Sequence, residues 1–312
     1  MASSLSVLIA GGTGLIGREL TAELEAAGHV VHTLTRSAEI AATESRTYVW
    51  NPGITPLNLD ALGTFDAIIN LAGSSISQMP WTAKRRKNIM HSRLAATNTL
   101  TEAIATSTRP PLVLLSGSAV GFYGDRGAET LTEVSPHGTG FLSEVVVAWE
   151  GAAKGAPEGV RVVLLRTGLV LSPTGGALGP LRLLTKVGVS GPLAGGKAWW
   201  PWISLRDEVR AIIHLLTSEV WGPVNLVGPQ PETSTAVMKA LADRLKRPFW
   251  LPAPGFAITA LLGQAGRELL LSSQRIQPTV LLADGFTFLD DNVTSAIAQT
   301  EPQPKSQPHA KK

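Results

Sequence analysis

Gly11, Gly14 and Gly17 stand three residues apart in "VLIAGGTGLIGREL", between an apolar run and a helical pattern. Such a loop can bring backbone N–H groups against the diphosphate of a dinucleotide. Its first glycine permits the tight turn, the second lets the backbone approach the phosphates, and the third lets helix and strand pack closely. The helix start adds free N–H groups and a partial positive charge. The next apolar run closes on Leu34, Thr35 and Arg36. NAD-type sites usually place an acidic residue there for the ribose 2′-hydroxyl, whereas a hydroxyl with a guanidinium suits a 2′-phosphate. NADP is therefore favoured, with Glu39, three residues past Arg36, as the rival NAD-type group.

Groups able to move protons are few. Ser118 (or Ser116), at the end of the run "LVLLSGS", is placed to hydrogen-bond a substrate carbonyl if a site opens there. Tyr123 can donate a hydrogen bond or act as an acid. As a base near pH ~7 it would need its pKa lowered from about 10, at a cost of roughly 4 kcal/mol. Glu150 reads as a solvated helix carboxylate. His91 and His137 are isolated, and no His/Asp/Glu spacing suggests a metal site. Trp199, Trp200 and Trp202, in "GGKAWWPWI", read as aromatics closing a groove, with one ring free to line a substrate cleft.

Alternating elements must position these groups. "SVLIAG", "HVVHTLTR", "DAIINLAG", "LVLLSGS" and "VRVVLLRTG" read as buried strands. Helical patterns separate them, one of them long (82–107) and one near 140–153. Repeated strand–helix–strand units imply an α/β fold, a Rossmann-type doubly wound parallel sheet. Residues 1–168 form the expected dinucleotide-binding domain, joined by a returning strand at 223–228 and a helix at 233–246. Residues 169–222 and 247–298 form a smaller, mainly helical substrate or cap region. The polar tail 299–312 is expected to be disordered.

Hydrophobic residues at 44% and charged residues at 16% describe an ordinary soluble protein. The one dense basic run, Lys84 to Lys87, has no interleaved aromatics. It reads as a solvated helix face and not as a nucleic-acid surface. The chain has no cysteine, which excludes disulfides and thiolate chemistry. Without a signal segment or an apolar run of ~18 to 20 residues, no membrane partner is expected and the location implied is cytoplasmic.

The segments "FDAIINLAG", "SRLAATNTLTEAI", "SGSAVGFYGDRG", "VVVAWEGAA", "RTGLVLSPTGGALG" and "WWPWISLRDEV" resemble the extended short-chain dehydrogenases/reductases of the NAD(P)-dependent epimerase/dehydratase kind. In combination with "RPFWLPAPGFAITALLGQAGRELLLSSQRIQPTVLLADGFTF" they are similar to one atypical branch, that of the human family 39U member and bacterial "sugar epimerase" proteins, some labelled cell-division inhibitors. The resemblance spans about residues 5–298. It implies pyrophosphate contacts from Gly11, Gly12, Thr13, Gly14, Leu15 and Ile16, and 2′-phosphate contacts from Thr35 and Arg36. It also implies an adenosine wall of Leu71, Ala72 and Gly73, a cofactor contact from Arg93, and Leu169 beside the nicotinamide. Where relatives often carry His, this chain has Ser204.

Enzymes of that superfamily normally use Tyr-x-x-x-Lys with an upstream Ser. Tyr48 is followed at the fourth position by Pro52 and Tyr123 by Gly127, so the dyad is missing. Two readings stay open. One is an NADP-dependent oxidoreductase or epimerase-like enzyme acting on a small carbonyl or hydroxyl compound, sugar nucleotides included. The other is a non-catalytic NADP(H)-binding sensor or scaffold with a protein partner, which the labels of some relatives would place in cell division. A homodimer through paired helices is an option by analogy.

Overall fold

A computed structural model describes residues 4–300 except 174 and 177. Seven parallel strands form the central sheet: β1 (Ser6–Ala10), β2 (Val30–Thr35), β3 (Thr47–Val49), β4 (Ala67–Asn70), β5 (Val113–Ala119), β6 (Arg161–Thr167) and β7 (Gly222–Leu226). Their spatial order is β7-β6-β5-β4-β1-β2-β3. The chain runs outward from β1 through β2 to β3, then returns to lay β4 on the other side of β1. That reversal opens a crevice at the carboxyl ends of β1 and β4, where doubly wound sheets bind ligands.

Strand periodicity explains the two-sided burial. Along β1, Val7 and Ile9 face one layer while Leu8 and Ala10 face the other, and all four are fully buried. The first layer packs Leu20 and Leu24 of helix Leu15–Ala26 and Val209, Ile212 and Leu215 of helix Leu205–Thr217. The second packs Ala96, Leu100 and Ile104 of helix Ala83–Thr106. Each large aliphatic side chain so buried contributes about 1.5–3 kcal/mol.

Beyond β6 the structure is mainly helical, with two short two-stranded ladders of its own and a third that pairs Arg275–Ile276 with Thr130–Leu131, ahead of β6. A separate core joins Trp200 and Trp202 to Val237, Leu241, Val293 and Ile297. Ser204 caps helix Leu205–Thr217 by accepting a hydrogen bond from the Asp207 amide at 3.3 Å.

Three expectations are corrected. β3 was not anticipated, being a three-residue edge strand without an apolar pattern. Residues 299 and 300, expected in the tail, belong to helix Val293–Thr300, and Thr300 is buried. The rest of that tail, 301–312, lies outside the described residues. The basic run is only half solvated: the Arg85 guanidinium donates to the Ser75 carbonyl, and Arg86 donates to Gln264 Oε1 at 2.7 Å. Both arginines thereby tie the start of the long helix to neighbouring segments.

Candidate functional site

The loop after β1 is held in shape by glycine. Gly11 has φ +89°, and a Cβ there would lie 2.7 Å from the Leu71 carbonyl carbon. A Cβ on Gly17 would collide with the Gly11 carbonyl oxygen, which accepts the Gly14 amide at 3.0 Å. The helix starting at Leu15 has no side-chain cap, so the amides of its first turn keep no intrahelical acceptor. This is a cradle for an anion.

Two cavities meet at Leu71 along the carboxyl edge of the sheet. The first, about 560 Å³, takes Gly11, Thr13, Gly14, Thr35, Arg36, Leu71, Ala72 and Gly73 into its walls, beside His91 and Trp50. The Arg36 side chain is exposed and has no hydrogen-bond or ion-pair partner among the described residues. Thr35 is buried, and its hydroxyl accepts from the Ser37 amide at 3.2 Å. Glu39 does not line this cavity.

The second cavity, about 290 Å³, is lined mostly by apolar groups, among them Ile16, Leu169, Val146, Trp149 and Trp200, with Arg93, Ser118, Thr167, Glu268, Ser272 and Gln274 as its charged or polar members. Gly12 and Leu15 are the loop residues that line neither cavity. Gly12 faces the Thr33 side chain, and Leu15 packs toward residues 175 and 176. Among the tryptophans, Trp200 lines the cleft. Trp202 is core, and Trp199 lies under the Arg275 guanidinium at 4.8 Å.

Arg93 donates to the carbonyls of Ser74 and Ile89, both at 3.0 Å, and lies 5.0 Å over the Trp149 ring. Burial, with help from Arg85, lowers its pKa to about 10. No carboxylate pairs with it among the described residues. A guanidinium withdrawn from water without a counter-ion is costly, and an anionic ligand in the cleft would offset that cost.

The proton-moving candidates are arranged differently from expectation. Ser118 lines the second cavity, but its hydroxyl donates to Glu150 Oε1 at 2.7 Å. Glu150, expected to be solvated, is 3% exposed and paired through both oxygens with Arg166, at 2.8 and 3.0 Å. Tyr123 does not face the cleft. It is fully buried, donating to Asn225 Oδ1 at 2.7 Å and accepting from Arg166 at 2.9 Å. Burial raises its pKa, so the phenol stays protonated within a fixed network. Ser116 is buried away from both cavities.

Sequence reasoning missed Glu208 and Glu268. Glu268 lines the second cavity and accepts the amides of Phe141 and Leu142 at 3.1 and 2.7 Å, capping helix Phe141–Ala153 from a segment 126 residues away. Glu208 is fully buried. Its Oε1 accepts from the Thr167 hydroxyl at 2.7 Å, and its Oε2 has no partner. Two acidic residues in a first helical turn ordinarily signal solvated carboxylates, so no local pattern marks this one.

Burial raises the Glu208 pKa from 4.5 to about 8, against the opposing effect of the Thr167 bond. The charges nearest in sequence and on the facing segment are already paired: Asp207 with Arg210, and Asp290 with Arg206. The sign follows. From about pH 4.5 to 8 the unfolded chain has lost this proton while the folded chain keeps it, so stability falls as pH rises, by about 1.4 kcal/mol per pH unit. Glu208→Gln removes the dependence. Urea unfolding should show the variant gaining on the parent by roughly 3 kcal/mol between pH 5 and 7.5. A difference that stays flat across that range would contradict the buried, neutral carboxyl.

The signature of the NAD dependent epimerase/dehydratase family matches residues 7–228, and that of a domain of unknown function, DUF1731, matches residues 253–300. An epimerase family protein of Mycobacterium bovis is 38% identical over 300 residues, 96% of this chain and 98% of the relative. The epimerase family protein SDR39U1 of Bos taurus is 34% identical over 305 residues, covering 95% and 99%. The crystal structure of human SDR39U1 (isoform 2) with NADPH superposes with a TM-score of 0.87 at 30% identity, covering 95% of this chain and 99% of that one. MoeE5 in complex with UDP-glucuronic acid and NAD, at 17% identity and TM-score 0.71, shares the fold.

Proposed function

The chain belongs to the NAD dependent epimerase/dehydratase family, and from that premise we propose that it binds NADPH along the carboxyl edge of its sheet and acts on a small carbonyl or hydroxyl compound as an oxidoreductase or epimerase-like enzyme. The observation that carries this reading is Arg36, unpaired and exposed beside Thr35 at one end of a cleft whose other end is apolar. The NADPH in the human SDR39U1 structure supports the same choice. The glycine cradle and the counter-ion-free Arg93 fit a dinucleotide diphosphate. In this reading residues 1–168, with 223–228 and 233–246, serve the cofactor, and residues 169–222 and 247–298 serve the substrate.

When bound, the nicotinamide would supply or accept a hydride. The chain's own groups set what can react there. Ile16, Leu169, Trp149 and Trp200 give the narrow cavity a largely apolar wall, and a ligand seated against it would feel stronger polar interactions than in water. Ser118 gives its proton to Glu150, leaving its lone pairs for a donor such as a substrate hydroxyl.

Arg36→Ala tests the cofactor choice. Losing a charge-assisted contact of about 1.5–3 kcal/mol should raise the Kd for NADPH roughly 10- to 100-fold and that for NADH less than about threefold. Fluorescence titration of ligand-stripped protein reads both. Equal losses, or none, would remove the 2′-phosphate assignment. Oxidation of NADPH across a panel of aldehydes and ketones tests turnover.

One observation favours the second reading, an NADP(H)-responsive scaffold: the Tyr123 hydroxyl and the Ser118 proton are both committed to buried partners. It expects NADPH binding without turnover and a protein partner whose affinity changes with NADPH. A partner indifferent to NADPH would discard it.

A further inference from the structure

Residues 268–274, within the stretch that matches DUF1731, supply one part of the second cavity's wall, and Glu268, Ser272 and Gln274 are its polar side chains there. Gln274 is 8% exposed. Its amide nitrogen donates to the carbonyls of Val120 and Gly124, both at 2.9 Å, just past the carboxyl end of β5. Only the NH2 end of an amide can meet two carbonyls, so the group has one orientation. Its oxygen is turned away from both. That oxygen has no hydrogen-bond partner among the described residues, and it is not one of the unpartnered polar atoms sealed from solvent. On a buried residue that borders the cavity, it is an acceptor open to whatever the cavity holds.

The neighbouring groups of this wall have also committed their protons. Ser272 Oγ donates to the Arg267 carbonyl at 3.3 Å, and the Trp200 indole N–H donates to the Leu270 carbonyl at 3.2 Å. Glu268 receives the Phe141 and Leu142 amides and, at 2.7 Å, the Gln264 side-chain nitrogen, which makes it a carboxylate on the wall. Glu268, Ser272 and Gln274 therefore bring lone pairs to the cavity and no hydrogens.

From this pattern we propose that the C-terminal wall selects an uncharged ligand that brings its own hydrogens, a compound with a hydroxyl beside the reacting carbonyl or carbinol carbon, and that Gln274 determines this specificity. The proposal rests on the cavity being the reactive end of the cleft, as the preceding reading has it.

The reason lies in what happens to the Gln274 oxygen when a ligand replaces water beside it. A ligand hydroxyl restores the hydrogen bond that water made. A ketone without a hydroxyl leaves a buried acceptor unpaired, which weakens binding roughly 10- to 100-fold. Charge is disfavoured in both signs, since Glu268 opposes an anion at this wall and Arg93, in the same lining, opposes a cation. An uncharged hydroxyl compound meets every one of these conditions.

Three compounds built on one ring test this in the full chain: cyclohexane-1,2-diol, cyclohexanone and cyclohexanecarboxylate. Indole resonances of protein labelled with 15N-tryptophan report the cavity through Trp149 and Trp200, whose N–H groups are held by Thr97 and Leu270. Titration should give the diol a Kd at least about tenfold below those of the other two. Water solvates the diol better than the ketone, so an apolar cavity with no aimed acceptor would rank the pair the other way. Gln274→Met, similar in length but without an amide, should raise the diol's Kd to that of the ketone and leave the ketone's own Kd unchanged. The comparison within the parent decides the matter even where Gln274→Met does not fold. A parent that binds the ketone or the carboxylate as tightly as the diol, or binds none of the three, overturns the proposal, as does a folded Gln274→Met that keeps the diol preference. Failure of NADPH to bind a chain that still prefers the diol would count against the cofactor reading and leave the acceptor wall standing.

Discussion

Glu150→Ala should destabilise the fold by about 3–5 kcal/mol, since removing one partner of a buried pair strands the other charge. The carboxylate takes both arms of Arg166, which is itself 3% exposed, and it also holds the Ser118 hydroxyl. What would remain around the guanidinium is the Tyr123 hydroxyl, the Glu133 carbonyl and the Phe122 ring, 3.5 Å below it. None of these carries a full negative charge, and the nearby Glu133 carboxyl, which feels the guanidinium but whose pKa is raised by burial, is turned to the amides of Asn225 and Val280. A chain of this size loses about 2–4 °C of Tm per kcal/mol, so scanning calorimetry should register a fall near 10 °C. The companion Glu150→Leu with Arg166→Met should recover most of the loss, because neither charge is then buried alone. A Glu150→Ala variant within about 1 kcal/mol of the parent would show that the pair is not the anchor of this network.

The second large effect lies in the loop. Gly17→Ala should weaken NADPH binding by about 100-fold or more while leaving the strands and helices in place. The added methyl overlaps the Gly11 carbonyl oxygen and comes within 2.7 Å of the Gly12 Cα, so loop and helix must part. Two or three amide contacts to phosphate, each worth about 1.5–3 kcal/mol, then lose their aim. Gly151→Ala is the control. Nothing lies near its absent Cβ in the last turn of helix Phe141–Ala153, and alanine there should add up to about 0.5–1 kcal/mol of stability. Circular dichroism and calorimetric titration separate the outcomes. Unchanged NADPH affinity in a folded Gly17→Ala chain would mean that the phosphates are held elsewhere.

Most of the cofactor half was legible in the sequence, because its signals are local. The five strands read from apolar runs are all in the sheet, and the helix expected at 82–107 spans Ala83–Thr106. The glycine spacing located the cradle, and Arg36 announced itself as the residue following a strand end. Those features depend on neighbours within one turn or one strand. The edge strand β3 escaped because three residues paired on one side have no periodicity to show.

The chemical identity of the second cavity was not legible. Glu150 looked solvated because a helix carboxylate gives no hint of an arginine 16 residues on, in a different strand. Tyr123 looked like an acid until its hydroxyl was found between Arg166 and Asn225, the latter 102 residues away. Glu208 drew no reading from the sequence, because the Thr167 hydroxyl and the core that enclose it come from other elements. By itself the sequence determined a doubly wound parallel sheet with most of its strands and the glycine turn of the loop, since propensity, periodicity and glycine conformation act over a few residues. Only the tertiary structure decided which carboxyls keep water, which keep a counter-ion and which keep a proton. The free energy of a buried charge is set by everything packed around it, and those groups come from distant parts of the chain.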